Sequence, residues 1–118
     1  MMTVNSVPPL TPAAFQVLLA LAAGEAHGYA VMRFVEEVTD ATVRLGPGTL
    51  YRTIGRLLAD GLVEEVEGGD PAAPHDARRR YYRLTPLGLE AATAEAALLQ
   101  RLVAAAAQAG LLPTKEPP

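Results

Sequence analysis

Between residues 12 and 60 the apolar side chains recur every three or four positions, the period of an amphipathic helix, and breakers divide the run into three. In "LTPAAFQVLLALAAG", Thr11 suits an N-cap, Pro12 the first helical position and Gly24 the end, which predicts a helix over about 12–23. In "HGYAVMRFVEEVTD", Val31, Phe34, Val35 and Val38 share one face while Arg33, Glu36 and Glu37 point away, which predicts a second helix over about 28–39. After a β-prone piece from Thr42 to Leu45, "LGPGTLYRTIGRL" opens a third helix that Asp60 and Gly61 close. The period then changes to two. "LVEEVE" (62–67) and "RRYYRL" (79–84), separated by the turn-rich "GGDPAAPHDA", read as a β-hairpin with a long tip. Tyr82 and Leu84 fall on one face of it and Tyr81 and Arg83 on the other, so one tyrosine belongs to the core. Thr85 and Pro86 repeat the cap-then-proline start, and with no breaker before Gly110 a fourth helix of about 22 residues follows, on the order of 33 Å long.

Helices followed by a hairpin make a winged helix-turn-helix, a mainly α (α+β) fold with a two-stranded β-wing and a long C-terminal dimerisation helix. The expected partition is a flexible leader over 1–10, a winged-helix domain over 11–84, the dimerisation helix over 85–109 and a flexible tail over 110–118. At 118 residues one compact domain is the expectation, and with 50% hydrophobic and 19% charged residues the composition is globular. There is no cysteine, which excludes disulfides and thiolate metal sites and fits a reducing cytoplasm. The N-terminus lacks a basic region followed by an apolar run, so no secretory signal is expected.

The glycines of "LGPGTLYR" invite comparison with a phosphate-binding loop, but no Gly-Lys-Ser/Thr follows them and no GxGxxG is present. They make better sense as a helix start: Gly46 relaxes the entry, Pro47 fits the first turn, and the free amides of Gly48 and Thr49 face outward, where an anion such as a nucleic-acid phosphate is attracted. At about 100° per residue, Leu50, Ile54, Leu57 and Leu58 form an apolar stripe, and Thr49, Arg52, Gly55 and Arg56 lie opposite. Guanidinium forks suit guanine edges and phosphates alike, and Tyr51 on the flank brings a hydroxyl within reach of a phosphate. In a winged helix this third helix enters the major groove of double-stranded DNA, and Arg78, Arg79 and Arg80 on the wing reach flanking phosphate or a narrow minor groove.

A net charge of −3 would argue against DNA if it were spread evenly. Seven of the nine arginines fall between residues 44 and 83, where six acids leave an excess of one positive charge, so a positive face requires spatial segregation. His27 and His75 lack a partner cluster, so no metal and no cofactor are expected, and His27 is read as a structural hydrogen-bonding residue. The acidic pairs Glu36/Glu37 and Glu64/Glu65 sit on solvated elements with no nucleophile and base to join them, and no enzyme is expected. Net acidity leaves one alternative, a winged-helix module that binds another protein and no DNA.

The fourth helix, "LGLEAATAEAALLQRLVAAAAQAG", is apolar almost all round. Glu90, Glu95 and Arg101 interrupt it, which excludes membrane insertion. The domain's own core is expected to cover one stripe including Leu87 and Leu98. A second copy covers the rest, with Leu98, Leu99, Leu102, Val103 and Ala106 as candidate dimer contacts. A two-fold dimer sets two recognition helices about 34 Å apart, suited to an inverted repeat.

With these elements in place, "LTPAAFQVLLAL", "HGYAVM", "LGPGTLYRTIGRLLADGLVEE" and "RRRYYRLTPLG" resemble the PadR family of transcriptional regulators over about residues 10–108. The resemblance implies a winged-helix homodimer that usually represses transcription from inverted-repeat operators and is released by a small-molecule effector or another signal. Room for a single C-terminal helix matches the compact subgroup. By position, the resemblance points to Tyr29, Gly48, Thr49, Tyr51 and Arg52 as DNA-side residues, with Arg79 and Arg80 in the wing. Tyr29 alone could equally pack in the core.

Overall fold

A computed structural model of the chain describes residues 9–67 and 80–113. Its elements are α1 (Pro12–Ala22), β1 (Ala26–His27), α2 (Gly28–Val38), α3 (Pro47–Ala59), β2 (Val63–Val66), β3 (Tyr81–Leu84) and α4 (Pro86–Gln108). Local chemistry starts each helix. Thr11 Oγ1 accepts the Ala14 N–H at 3.1 Å, and Thr85 Oγ1 accepts the Gly88 N–H at 3.0 Å. Pro12 and Pro86 then stand where a missing N–H costs nothing. For α2 the cap is His27, whose Nδ1 accepts the Ala30 N–H at 3.2 Å, the structural role expected of it. Gly61 and Gly110 follow the ends of α3 and α4 at φ of +77° and +81°, the left-handed region that terminates helices.

The core is one cluster in which Leu50, Ile54 and Leu57 of α3 join Val17, Leu18 and Leu21 of α1, with Val31 of α2 closing one side. Leu62, Val63 and Tyr82 bring the sheet onto the same cluster, so Tyr82 is the core tyrosine and Tyr81 is only half-buried. Val38, placed on the apolar face of its helix by spacing, is instead 58% exposed at the end of α2.

The sheet has one strand more than the hairpin predicted. Its order is β1-β3-β2, antiparallel throughout, with Val63 opposite Leu84, Glu65 opposite Tyr82, and Ala26 and His27 opposite Tyr82 and Tyr81. Two residues carry no periodicity, and β1 exists only because the outer edge of β3 offers it a ladder. Conversely, the β-prone piece from Thr42 to Leu45 forms no strand, having none to pair with. It belongs to a turn organised by Thr39, whose hydroxyl donates to the Val35 carbonyl at 2.8 Å and accepts the Val43 N–H at 3.0 Å. Asp40 and Ala41 pass through that turn at φ of 52° and 64°.

The packing of α4 corrects a second expectation. Its buried residues are Gly88, Ala91 and Ala92, while Leu87 and Leu98 remain 46% and 40% exposed. The helix comes too close for leucine at the seam: a Cβ on Gly88 would collide with the backbone carbonyl of Leu62. Two further bonds hold that approach, from the Thr85 N–H to the Leu62 carbonyl at 3.1 Å and from the Thr85 hydroxyl to the Gly61 carbonyl at 2.6 Å. Beyond Ala92 no residue of the helix is buried.

Gly88→Ala should cost about 2 kcal/mol or more, because the obstructing atom is backbone and cannot rotate away. Urea denaturation measures it, and an unchanged midpoint would rule out the close approach. His27→Ala should cost about 1 kcal/mol through loss of the α2 cap, and His27→Asn, which restores an acceptor at that position, should recover most of it in the same assay.

Candidate nucleic-acid interface

Burial of Leu50, Ile54 and Leu57 fixes the rotation of α3, and the opposite face follows from it: Gly48, Thr49, Arg52, Gly55 and Arg56 are all exposed. At the start of the helix Gly46 supplies no side-chain cap, leaving the first-turn amides to solvent or to an external acceptor. Among the described residues neither Arg52 nor Arg56 forms an ion pair, so both guanidiniums are available to a ligand.

Four other arginines are engaged. Arg33 pairs with Glu37 at 3.5 Å and Arg44 with Glu36 at 3.2 Å, both on the surface. Arg83 donates from Nε to Glu64 at 2.7 Å and lies 3.6 Å from Glu25, tying β3 to β2 and to the segment before β1. Sequence reading gave Arg83 no role; its position directly opposite Glu64 in the antiparallel register is the signal that would have found it. Arg80, expected on the DNA side, lies 3.8 Å from Glu65 with its side chain 71% exposed. A surface pair of this kind is worth at most about 1 kcal/mol and yields to a stronger anion. Arg78 and Arg79 fall outside the described residues, as does His75.

Tyr29 and Tyr51 stand beside this face, 58% and 49% exposed, which removes core packing as the role of Tyr29. The hydroxyl of Tyr51 rests against Gly28, where any side chain would displace it. His27 links these elements: its ring stacks on Tyr29 at 6.4 Å and meets the edge of Tyr81 at 5.2 Å. The base of the sheet, the start of α2 and the flank of α3 therefore meet around three aromatic side chains and one glycine, a packing that spacing alone does not reveal. Inside this junction the Tyr82 hydroxyl is pushed above the ordinary phenol range, first by burial and then by the Glu65 carboxylate, so it stays neutral.

At the far end of the molecule, Leu98, Leu102 and Val103 are exposed on α4, with Leu99 and Ala106 half-buried beside them. No helix of the described residues is long and apolar enough to cross a membrane, and among those residues no cluster suits a metal ion.

Comparison with known proteins agrees with this architecture. A stretch of 86 residues is 42% identical to a 37.1 kDa protein in transposon TN4556 of Streptomyces fradiae; it covers 73% of this chain but only 22% of that protein. Over 87 residues the chain is 39% identical to the transcriptional regulator Rv3488 of Mycobacterium tuberculosis, covering 73% of this chain and 74% of the other. Two solved structures share the fold. A transcriptional regulator from Clostridium thermocellum superimposes with a TM-score of 0.69 at 23% identity, over 81% of this chain and 87% of that one. A PadR family transcription regulator from Clostridium difficile does so with a TM-score of 0.68 at 18% identity, over 83% and 97%. The family is one of transcriptional regulators and not of enzymes, in keeping with the absence of any catalytic pairing in the sequence. Residues 17–94 match the model of the transcriptional regulator PadR-like family, and the chain belongs to that family.

Proposed function

We propose that this chain is a cytoplasmic, sequence-specific DNA-binding repressor that acts as a homodimer on an inverted-repeat operator and is released by a small-molecule effector. The observation that carries the reading is the pair of outward arginines on α3, Arg52 and Arg56, one helical turn apart and without an ion-pair partner among the described residues. They lie behind a helix start whose amides have no side-chain acceptor, so phosphate contact and base contact are offered by the same element. Tyr29 and Tyr51 supply hydroxyl groups at the edge of this face, and Arg80 adds a cation at the base of the wing. Arg78 and Arg79, carried over from the family pattern, would extend that wing contact.

The second copy is proposed on different grounds. A helix of 23 residues, about 35 Å long, buries only its first two turns against its own domain, and the remainder exposes Leu98, Leu102 and Val103. Leucine and valine alternating with alanine on one side of a helix suit antiparallel or crossed packing on an identical helix. The two-fold axis so created would present two copies of α3 to successive turns of one DNA face.

Duplexes selected from random DNA should yield an inverted repeat whose affinity falls steeply with salt. Arg52→Ala should weaken binding to it by about 1–3 kcal/mol, with preference relaxed at one base position if the guanidinium reads a base, or uniformly if it holds phosphate. Fluorescence anisotropy over a set of operator variants separates these. Unchanged affinity in the Arg52→Ala, Arg56→Ala double variant would instead assign the chain to protein binding. Replacing both Leu99 and Leu102 by Asp should give monomers in sedimentation velocity and weak operator binding, whereas persistent dimers would move the seam away from α4.

A further inference from the structure

The outward face of α3 borders a groove of about 690 Å³, within the size range of small-molecule sites. Its apolar lining is aliphatic, with Leu10 and Ala14 from the segment leading into and through α1, Leu57 of α3, Leu62, and Leu87 at the start of α4, and Thr11 and Thr53 stand among them. No aromatic ring lines it among the described residues. Arg52 and Arg56 stand along the same groove, and neither has an ion-pair partner among the described residues. The wall formed by Leu10 is fastened in place, since its N–H donates to Glu95 Oε1 of α4 at 3.2 Å.

These features select a ligand by chemistry. An apolar lining without rings favours a saturated hydrocarbon body over a planar one, and two guanidiniums favour an anionic head that accepts forked hydrogen bonds. Asp60 also lines the groove, one helical turn beyond Arg56 and two beyond Arg52, and its carboxylate disfavours an anionic head on its own side. The head belongs beside Arg52 and Arg56, with the chain running towards Leu62 and Leu87.

We infer that this groove is an effector site for a medium-chain aliphatic carboxylate, and that the ligand and DNA compete for Arg52 and Arg56. The inference deepens the repressor reading and rests on it for the competition, but not for the site itself. Release of DNA then requires no long-range change of shape, because each guanidinium that clamps the carboxylate is withdrawn from phosphate or base. By linkage the effect is reciprocal, and bound operator must weaken the carboxylate by the same factor.

Octanoate titrated into the full chain by isothermal calorimetry tests this directly. One octanoate should bind per chain with saturation, and 1-octanol, which keeps the chain but lacks the charge, should bind about tenfold more weakly or less. Leu87→Glu places a carboxylate in the groove at a half-exposed position the fold tolerates. It should weaken octanoate by about tenfold, because its charge repels the carboxylate head and its polarity interrupts the apolar lining. Saturating octanoate should raise the apparent Kd for the selected duplex by about tenfold, and the duplex should weaken octanoate equally. No saturable uptake, equal binding of octanol, or unaltered octanoate affinity in Leu87→Glu overturns the site. Independent binding of octanoate and duplex overturns the competition. Stoichiometric octanoate uptake by a chain that binds no duplex overturns the repressor reading, and the competition with it, but leaves the site standing.

Discussion

Everything this molecule offers to a partner depends on how three side chains of one helix are buried. Leu50, Ile54 and Leu57 are essentially inaccessible, locked against Val17 and Leu18 of α1. Turning α3 by the width of one residue would bring an arginine into that cluster, where an unpaired guanidinium costs several kcal/mol. The hydrophobic contact therefore does more than stabilise: it forces Arg52 and Arg56 outward and holds them at fixed azimuth. A surface arginine on a loop would have the same charge without the same geometry.

The second determinant is the size of the residues where α4 meets the domain. Gly88, Ala91 and Ala92 let the helix lie directly on the Leu62 carbonyl, and the Thr85 side chain closes that junction from both sides by capping α4 and bonding Gly61. The fully buried residues of α4 all lie in its first two turns, and beyond them Leu98, Leu102 and Val103 are exposed. Small residues fix the direction and large ones remain for a partner. Leucine at position 88 or 91 would fill the seam and push the helix away.

Sequence patterning revealed the parts of this fold that local chemistry dictates and missed those that tertiary pairing dictates. The threonine–proline starts at Thr11 and Thr85, the helical stripe of α3 and the alternation that buries Tyr82 are local signals, and all appear in the structure. The strand Ala26–His27 had none, being two residues long and defined by the free edge of β3. Thr42–Leu45 had β-propensity but no neighbour to pair with, and the hydrogen bonds of Thr39 decided the turn. Leu87 and Leu98 were placed in the core by hydrophobicity, yet distance between elements is what selects a seam, and hydrophobicity carries no information about distance. At the interface, exposure of Arg52 and Arg56 was legible from the helical period. That Arg33, Arg44, Arg80 and Arg83 are paired was not, because it depends on which acids the fold brings within 4 Å.

This pairing resolves the apparent conflict between an acidic chain and a polyanionic target. Glu25, Glu36, Glu37, Glu64 and Glu65 are set beside Arg33, Arg44, Arg80 and Arg83, so much of the negative charge is matched locally. With a screening length of about 8 Å at physiological salt, a DNA surface against α3 experiences the charges nearest to it rather than the sum over the chain. Arg52 and Arg56 are the charges presented there without local compensation, and Asp60, at the far end of the helix, is the acid on the same element. The net charge of −3 thus constrains solubility, while the sign of the field at the outward face of α3 depends chiefly on the arginines it carries.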